Sequence, residues 1–351
     1  MFKYFSGMLG LDVGIDLGSS NVVVYVKDKG IVLSEPSAIA MKKLPRGEGF
    51  EIIAVGESAK AMSGKVPNGI EAIWPLEGGV IANFDMTQEL IRYCLKRVTP
   101  NNSFMVQPRV VISIPAEVTE VERKAVIDAA LGAGASEAYI AEEPISAALG
   151  VGLPIDKPNG CMIIDIGGGT SEVSVISLGG VVVTSSVRNA GKAMDNAIIN
   201  MVRQRYALLI GESTAEEVKN TIGSALPMEE ELEMSVKGRD LSVGLPKSDN
   251  VSSVEVREAL EPILTEIEDM VKVALEKMPP ELAKDVVDRG IVLTGGVALM
   301  HGLDERLSRA INTPVIVAEE PLYSVALGVG KILDNLGSMK KRLMSVERGT
   351  R

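Results

Sequence analysis

The feature that most constrains this chain is a short pattern that occurs twice. Val13-Gly-Ile-Asp-Leu-Gly-Ser-Ser-Asn21 runs into Val22–Val26, and Met162-Ile-Ile-Asp-Ile-Gly-Gly-Gly-Thr-Ser-Glu-Val173 runs into Ser174–Leu178. Each reads as an apolar strand, an aspartate, a glycine-rich turn with small hydroxyls, and a second β-branched strand, which together make a hairpin. Recurrence at about half the chain length implies two related halves facing one another. A strand turning through Gly18-Ser19-Ser20-Asn21 presents successive backbone N–H groups and hydroxyls to an anion, and Gly167-Gly168-Gly169-Thr170 offers the same from the second half. Two such turns can clamp a polyphosphate. Asp16 and Asp165 can then hold a hard cation such as Mg2+ that bridges the phosphates. One hairpin alone reads as an ordinary glycine turn; the pair points to phosphate.

Composition excludes most other chemistry. A chain of 351 residues, 46% hydrophobic and 24% charged, can bury two or three globular cores. No window approaches the ~18 uninterrupted apolar residues of a membrane span. The two cysteines, Cys94 and Cys161, make no disulfide framework or four-cysteine zinc site, and read as core thiols in a reducing compartment. A single histidine, His301, leaves no catalytic triad and no multi-histidine metal site. The net charge of −11 argues against a nucleic-acid partner, whose phosphates need a concentrated basic face. The expected setting is the cytoplasm. The first ten residues, with one lysine and a strand beginning at Leu11, leave no room for a cleaved export signal. Phe2, Phe5, Met8 and Leu9 can instead form a short amphipathic foot for a membrane or a partner, or pack as a core-bound tail.

Between the hairpins, Arg109–Ile114 is a continuous apolar strand, broken by Pro115 and followed by a helix over 117–131. Such alternation implies an α/β sheet sandwiched by helices. Thr214-Ala-Glu-Glu217 and Ser252-Ser-Val-Glu255 are capping-box patterns. The second opens a long amphipathic helix (Val256, Leu260, Leu264, Ile267, Val271, Leu275), kinked at Pro262 and stopped by Pro279-Pro280. Segments 32–72 and 184–249 interrupt the pattern and read as inserted subdomains, one per half. A third glycine turn, Thr294-Gly-Gly-Val-Ala-Leu-Met-His-Gly-Leu-Asp304, follows strand Arg289–Leu293 and can set a nucleoside or phosphate against a helix N-terminus. Neither the Walker A nor the G-x-G-x-x-G pattern occurs at any of the three turns.

Gly14-Ile-Asp-Leu-Gly18, Glu143-Pro-Ile-Ser-Ala-Ala148, Asp165-Ile-Gly-Gly-Gly-Thr170, Thr294-Gly-Gly296 and Ser324-Val-Ala-Leu-Gly328 follow in order the nucleotide motifs of the actin/Hsp70/hexokinase superfamily. Within it, Lys29–Ser37, Gly211–Lys219 and Thr221–Ala225 resemble the bacterial actins of the MreB/Mbl family, over about residues 9–336. The resemblance implies an α/β, actin-like fold: two ribonuclease-H-like halves around a central nucleotide cleft, each with a small inserted subdomain. The halves would be 1–144 plus 322–351, and 145–321. It further implies ATP binding, slow hydrolysis, and polymerisation into filaments at the inner face of the cytoplasmic membrane that organise cell-wall synthesis and cell shape. RodZ and the cell-wall elongation proteins are partners implied by resemblance alone.

Carried over residue by residue, the resemblance places Gly18, Ser19, Ser20 and Asn21 on the β- and γ-phosphates. It places Asp16 and Asp165 at Mg2+, and Gly167, Gly168, Gly169 and Thr170 across the phosphates. Glu216, Glu217 and Lys219 approach the ribose and adenine, while Gly295, Gly296, Val297 and Ala298 line the nucleoside pocket. Glu143 orients the attacking water with help from Thr170, a role that needs positioning more than basicity. Glu143 ahead of Pro144 also suits a helix N-terminus without any catalytic duty. The family usually has glycine where Val297 stands and Thr-Ala where Ser19-Ser20 stand. For membrane contact the chain offers Phe2, Phe5, Met8 and Leu9, and the proline-bounded Phe104-Met105-Val106, whose alternative is burial against the protein. A sugar or small-acid kinase of the same superfamily is the alternative function, although no base beyond Glu143 stands out. A chaperone-type ATPase would need a peptide-binding domain after the fifth motif, for which residues 329–351 leave no room.

Overall fold

The computed structural model describes residues 11–44, 49–99, 107–339 and 344–347. The expectations attached to Phe2, Phe5, Met8, Leu9, Phe104 and Met105 lie outside these residues. The chain divides into two compact units, Met1–Lys157 with Tyr323–Arg351, and Pro158–Leu322. Residues 145–157 therefore go with the first unit rather than the second.

In the first unit β1 (Asp12–Leu17), β2 (Asn21–Val26) and β3 (Gly30–Pro36) form an antiparallel meander. Val13, Ile15, Val22 and Val24 are wholly buried, as near-continuous apolar strands require when both faces of a sheet are covered. A small sheet follows, built from β4 (Ile39–Lys43), β5 (Phe50–Val55), helix α1 (Glu57–Met62) and β6 (Ile70–Ile73). Its core is made of small side chains, Ala38, Ala40 and Ala59. The two-residue strands β7 (Leu76–Glu77) and β8 (Val80–Ile81) lead to α2 (Phe84–Val98), capped by the Asn83 side chain accepting the Met86 N–H. Then come β9 (Arg109–Ile114), α3 (Glu120–Ala133), β10 (Glu137–Glu142) and α4 (Glu143–Gly150). Helix α3 starts three residues later than the apolar spacing predicts, because Thr119 and Glu122 form a reciprocal capping box.

The second unit opens with β11 (Cys161–Ile166), β12 (Ser171–Ser177) and β13 (Gly180–Val187). Next come α5 (Gly191–Tyr206), β14 (Leu208–Leu209), α6 (Glu212–Ile222), β15 (Glu233–Asp240) and β16 (Pro246–Ser252). The capping box read at Thr214–Glu217 is not formed: Gly211 is the cap and Thr214 lies inside α6. The one read at Ser252–Glu255 is formed and starts α7 (Ser253–Lys277), which continues through Pro262 and buries Val256, Leu260, Leu264, Ile267 and Val271. Helix α8 (Pro280–Arg289), β17 (Ile291–Thr294), a 3-10 turn at Gly296–Leu299, α9 (Leu303–Ile311) and β18 (Val315–Val317) complete it. The chain then returns to the first unit as α10 (Ser324–Asp334), α11 (Leu336–Met339) and β19 (Met344–Glu347).

The repeat read from the two hairpins extends to whole sheets. The first unit's sheet has the order β19-β10-β9-β1-β2-β3 and the second's β13-β12-β11-β17-β18. Leaving out β19, each is an antiparallel meander joined through its first strand to two parallel strands. Strands β3 and β13 pair within these large sheets. These strands overlap the starts of the segments read as inserted, and β16 runs to Ser252. Among the described residues no helix is long and apolar enough to cross a membrane. Both cysteines are buried thiols, and burial pushes Cys94 up to about 12, which suits the core reading. His301 is exposed, and its carbonyl accepts the Ala225 N–H.

Candidate functional site

In the first unit the parallel pairing of β1 with β9 sets Asp16 opposite Ser113, and β9 with β10 sets Ser113 opposite Ala141. Asp16, the turn that follows it, and Glu143 at the start of α4 therefore gather at the carboxyl ends of three parallel strands, where open α/β sheets bind ligands. Ser113 is 1% exposed and donates its hydroxyl to Asp16 Oδ1 at 3.0 Å. Sequence reasoning passed over Ser113, although it is the one polar residue within Val110–Ile114. Burial pushes the Asp16 carboxyl up to about 6, against the downward pull of the Ser113 hydrogen bond. Among the described residues no basic side chain forms an ion pair with Asp16.

The turn is fixed by residues far away in sequence. A Cβ at Gly18 would stand 2.7 Å from the Asn21 carbonyl oxygen, so only glycine fits. Ser37 donates its hydroxyl to the Gly18 carbonyl at 2.6 Å and its N–H to the Ser20 carbonyl at 2.8 Å. Ser19 is buried, and its Oγ accepts the Gly79 N–H at 3.0 Å, which ties the turn to the β7–β8 loop. Ser20 is half-buried and Asn21 exposed, which leaves these two the more accessible side chains of the turn.

The second unit repeats the plan. Asp165 of β11 lies opposite Thr294 of β17, a hydroxyl residue at the position equivalent to Ser113. Here the hydroxyl is used differently: Thr294 Oγ1 donates to the Pro321 carbonyl at 2.9 Å, and the Gly295 N–H donates to the same oxygen at 3.0 Å. Gly295 has φ +86, and a Cβ there would overlap both Asp165 Oδ1 and the Ile166 carbonyl. The 167–170 turn closes with the Gly167 N–H donating to the Thr170 carbonyl at 2.9 Å. The N–H groups of Gly191 and Lys192, at the start of α5, donate to the Gly167 and Gly168 carbonyls at 3.1 and 2.8 Å. Carbonyls are thus turned toward α5. The N–H groups of Gly168 and Gly169 take no part in the hydrogen bonds of the described residues.

One expectation changes. The helix read after Gly295-Gly296 is a four-residue 3-10 turn, and the next α-helix starts only at Leu303. Val297 and Ala298 are buried in the second unit's core. On α6, Glu216 is half-buried and Glu217 exposed. Lys219 Nζ lies 2.7 Å from Asp195 Oδ1 and donates to the Gly191 carbonyl at 3.1 Å. Its charge is already matched by Asp195, a partner on a separate helix that no local spacing reveals. Lys219 thereby holds α6 against the start of α5, next to the 167–170 turn.

Carboxylate and backbone oxygens with hydroxyl support are the donor set of a hard cation. Among the described residues no group of three or more His, Cys, Asp or Glu side chains comes together to chelate a metal. A cation here would take most of its ligands from phosphate and water, as Mg2+ does. Asp16 is compatible with that role: burial disfavours its ionised form, and a cation beside it would offset that cost. Because its folded value lies above the ordinary 3.8, Asp16 favours folding when protonated. That gain is full below about pH 4 and is lost as pH rises through about 6. Asp16→Asn is therefore expected to raise the melting midpoint of the nucleotide-free protein at pH 7.5 by roughly 2–6 °C and to leave it unchanged near pH 4. Thermal melts of both proteins at the two pH values check this; an equal difference at both would mean the carboxylate is well solvated.

With the fold and both turns described, comparison with known proteins places the chain. The family model for MreB/Mbl protein matches residues 10–341. The chain is 48% identical over 347 residues to the cell shape-determining protein MreB of Escherichia coli, covering 99% of this chain and 100% of that one. It is 43% identical over 338 residues to the cell shape-determining protein Mbl of Bacillus subtilis, covering 96% and 100%. Crystal structures of MreB 5 of Spiroplasma citri, bound to AMPPNP and to ADP, superpose with TM-scores of 0.88 at 36% and 37% identity, covering 95% of this chain and 98% of each. The fold is actin-like, and the chain belongs to the MreB/Mbl family.

Proposed function

We propose that this chain binds ATP with Mg2+, hydrolyses it slowly, and polymerises into filaments at the inner face of the cytoplasmic membrane that organise cell-wall synthesis and cell shape. The observation that carries the reading is the glycine turn after an aspartate, built once in each unit on the same strand order. It is supported by a relative of the same fold that holds AMPPNP or ADP, and by relatives of nearly equal length named for cell shape.

In this reading Asp16 and Asp165 hold Mg2+, which when bound neutralises phosphate charge. Gly18, Ser20 and Asn21 in the first unit, and Gly167–Thr170 in the second, donate to phosphate oxygens. Ser19 acts by fixing its turn to Gly79. Glu143 orients the attacking water, with Thr170 assisting. Glu216 and Glu217 face the ribose and base, Lys219 positions α6, and the backbone at Gly295, Gly296, Val297 and Ala298 lines the nucleoside. RodZ and the cell-wall elongation machinery are the proposed partners, with self-assembly first.

Pelleting and negative-stain microscopy with and without ATP and liposomes test the proposal. ATP-dependent filaments that decorate liposomes are expected; a soluble monomer that transfers phosphate to a sugar would overturn it. For membrane contact, deleting residues 2–9 and changing Phe104 and Met105 to Ser should abolish liposome co-sedimentation and leave ATP affinity intact. Each apolar segment inserts weakly, so filament avidity is what holds the subunits down. Lipid binding retained by that variant would place the membrane contact elsewhere.

A further inference from the structure

The first unit carries a recess of about 230 Å³ lined by Val26, Lys29, Val32, Leu33, Arg97 and Val98. It lies where the β2–β3 turn meets the last turn of α2, beside the sheet's edge strand β3. The volume is too small for a nucleoside or a drug-sized molecule and suits a phosphate-sized group. Its chemistry is two-sided. Val26, Leu33 and Val98 give an apolar lining, and Val32 on the edge strand is 40% exposed. Lys29 and Arg97 supply positive charge at the same place.

That charge is only partly compensated, in a chain of net charge −11. Among the described residues Lys27, Lys29 and Lys96 make no ion pair. Arg97 reaches Glu35 only at 3.8 Å and lies over the Tyr93 ring at 5.9 Å. Glu35 is itself engaged by the Tyr93 hydroxyl at 3.0 and 3.2 Å. Asp28 lies in the β2–β3 turn beside Lys29. Asp12 is taken by Arg109, which bonds both its oxygens at 2.8 Å.

The position is as informative as the charge. The Lys27 N–H donates to the Asp12 carbonyl, and the Arg109 N–H donates to the Leu11 carbonyl. The recess therefore stands at the end of the sheet where residues 2–9 join β1. The segment holding Phe104 and Met105 joins there too, between α2 and β9. Both apolar segments proposed for the membrane attach beside it. We propose that this recess is a binding site for the phosphate headgroup of an anionic phospholipid, with Lys29 and Arg97 on the phosphate and Val32 and Val98 against the glycerol and upper acyl chain. Long basic side chains commonly bridge apolar surface and headgroup in this way. The proposal rests on the membrane reading above and adds a lipid preference and its location.

The test is sedimentation of the full chain with ATP on vesicles of phosphatidylcholine alone and of phosphatidylcholine with one fifth phosphatidylglycerol. Wild type should prefer the anionic vesicles. Lys29→Gln/Arg97→Gln should need at least tenfold more anionic lipid for half-binding, since each lost charge near a membrane weakens binding roughly fivefold. The charge-matched control Lys27→Gln/Lys96→Gln should lose clearly less, and Lys29→Arg should bind like wild type. Unchanged melting and ATP affinity certify each variant as folded. Equal losses in both double variants would reduce the recess to general surface attraction and overturn the proposal. So would millimolar inorganic phosphate displacing the protein from vesicles, because the site would then take free phosphate. If the Lys29/Arg97 variant binds as well as wild type, the recess fails and the membrane reading stands. If wild type binds neither vesicle, both fail.

Discussion

Asp165→Ala is expected to weaken ATP affinity in the presence of Mg2+ by roughly a hundredfold, measured by calorimetry, while the folded protein keeps its melting midpoint within a few degrees. The size follows from removing a charged oxygen whose bonds to a cation and its waters contribute about 3 kcal/mol. Small structural cost is expected because Asp165 lies one residue before the end of β11, half-buried rather than in the core. Gly295 already leaves the room its carboxylate occupies, with φ +86 and no side chain to collapse inward. Asp165→Asn separates charge from shape and should lose nearly as much affinity as alanine if charge is what matters. Unchanged affinity in both would remove the second unit's aspartate from the site. Asp16→Asn makes the complementary case: binding should fall while the nucleotide-free protein becomes more stable near neutral pH, because burial holds the Asp16 carboxyl at about 6.

What the sequence showed of this arrangement was whatever lies close along the chain. Asp16 with Gly18, and Asp165 with Gly167–Thr170, are local patterns, and both fold as the hairpins their β-branched flanks predict. Ser252–Glu255 forms its capping box within one turn. Supports that arise from pairing distant segments were hidden. Ser113 reaches Asp16 only because β9 runs parallel to β1, Ser37 reaches Gly18 only through the bend between β3 and β4, and Asp195 meets Lys219 only where α5 meets α6. Strand β19 escaped notice for the same reason: it is four residues long and defined by its antiparallel pairing with β10. The misread start of α6 has a local cause, since Gly211 caps with its backbone alone and leaves no side-chain signature.

The fifth motif, Ser324–Gly328, acquires a packing role that resemblance alone did not assign, and it leads to the largest expected loss of stability. Helix α10 crosses α4 so closely that a Cβ at Gly328 would overlap the Ser146 carbonyl and come within 2.9 Å of its Cα. A Cβ at Gly150 would in turn overlap the Ser324 carbonyl and come within 3.0 Å of the Gly328 nitrogen. These obstacles are backbone atoms, so no rotamer change relieves them. The other side of α10 has little slack: a Cβ at Gly14 of β1 would stand 2.6 Å from Val329 Cγ1, and one at Gly330 2.6 Å from the Tyr25 ring. Gly328→Ala should therefore cost at least about 3 kcal/mol, the upper end of ordinary overpacking, and lower the melting midpoint by roughly 6–12 °C. Gly337→Ala, with nothing within 4 Å of the added methyl, is the control and should stay within a degree or two. A Gly328→Ala midpoint equal to wild type would mean the two helices can part freely. Because α4 begins with Glu143, the same strain should move that carboxylate away from the turn after Asp16. Among molecules still folded at low temperature, the hydrolysis rate should then fall by more than ATP affinity does, which a simple loss of folded protein would not produce.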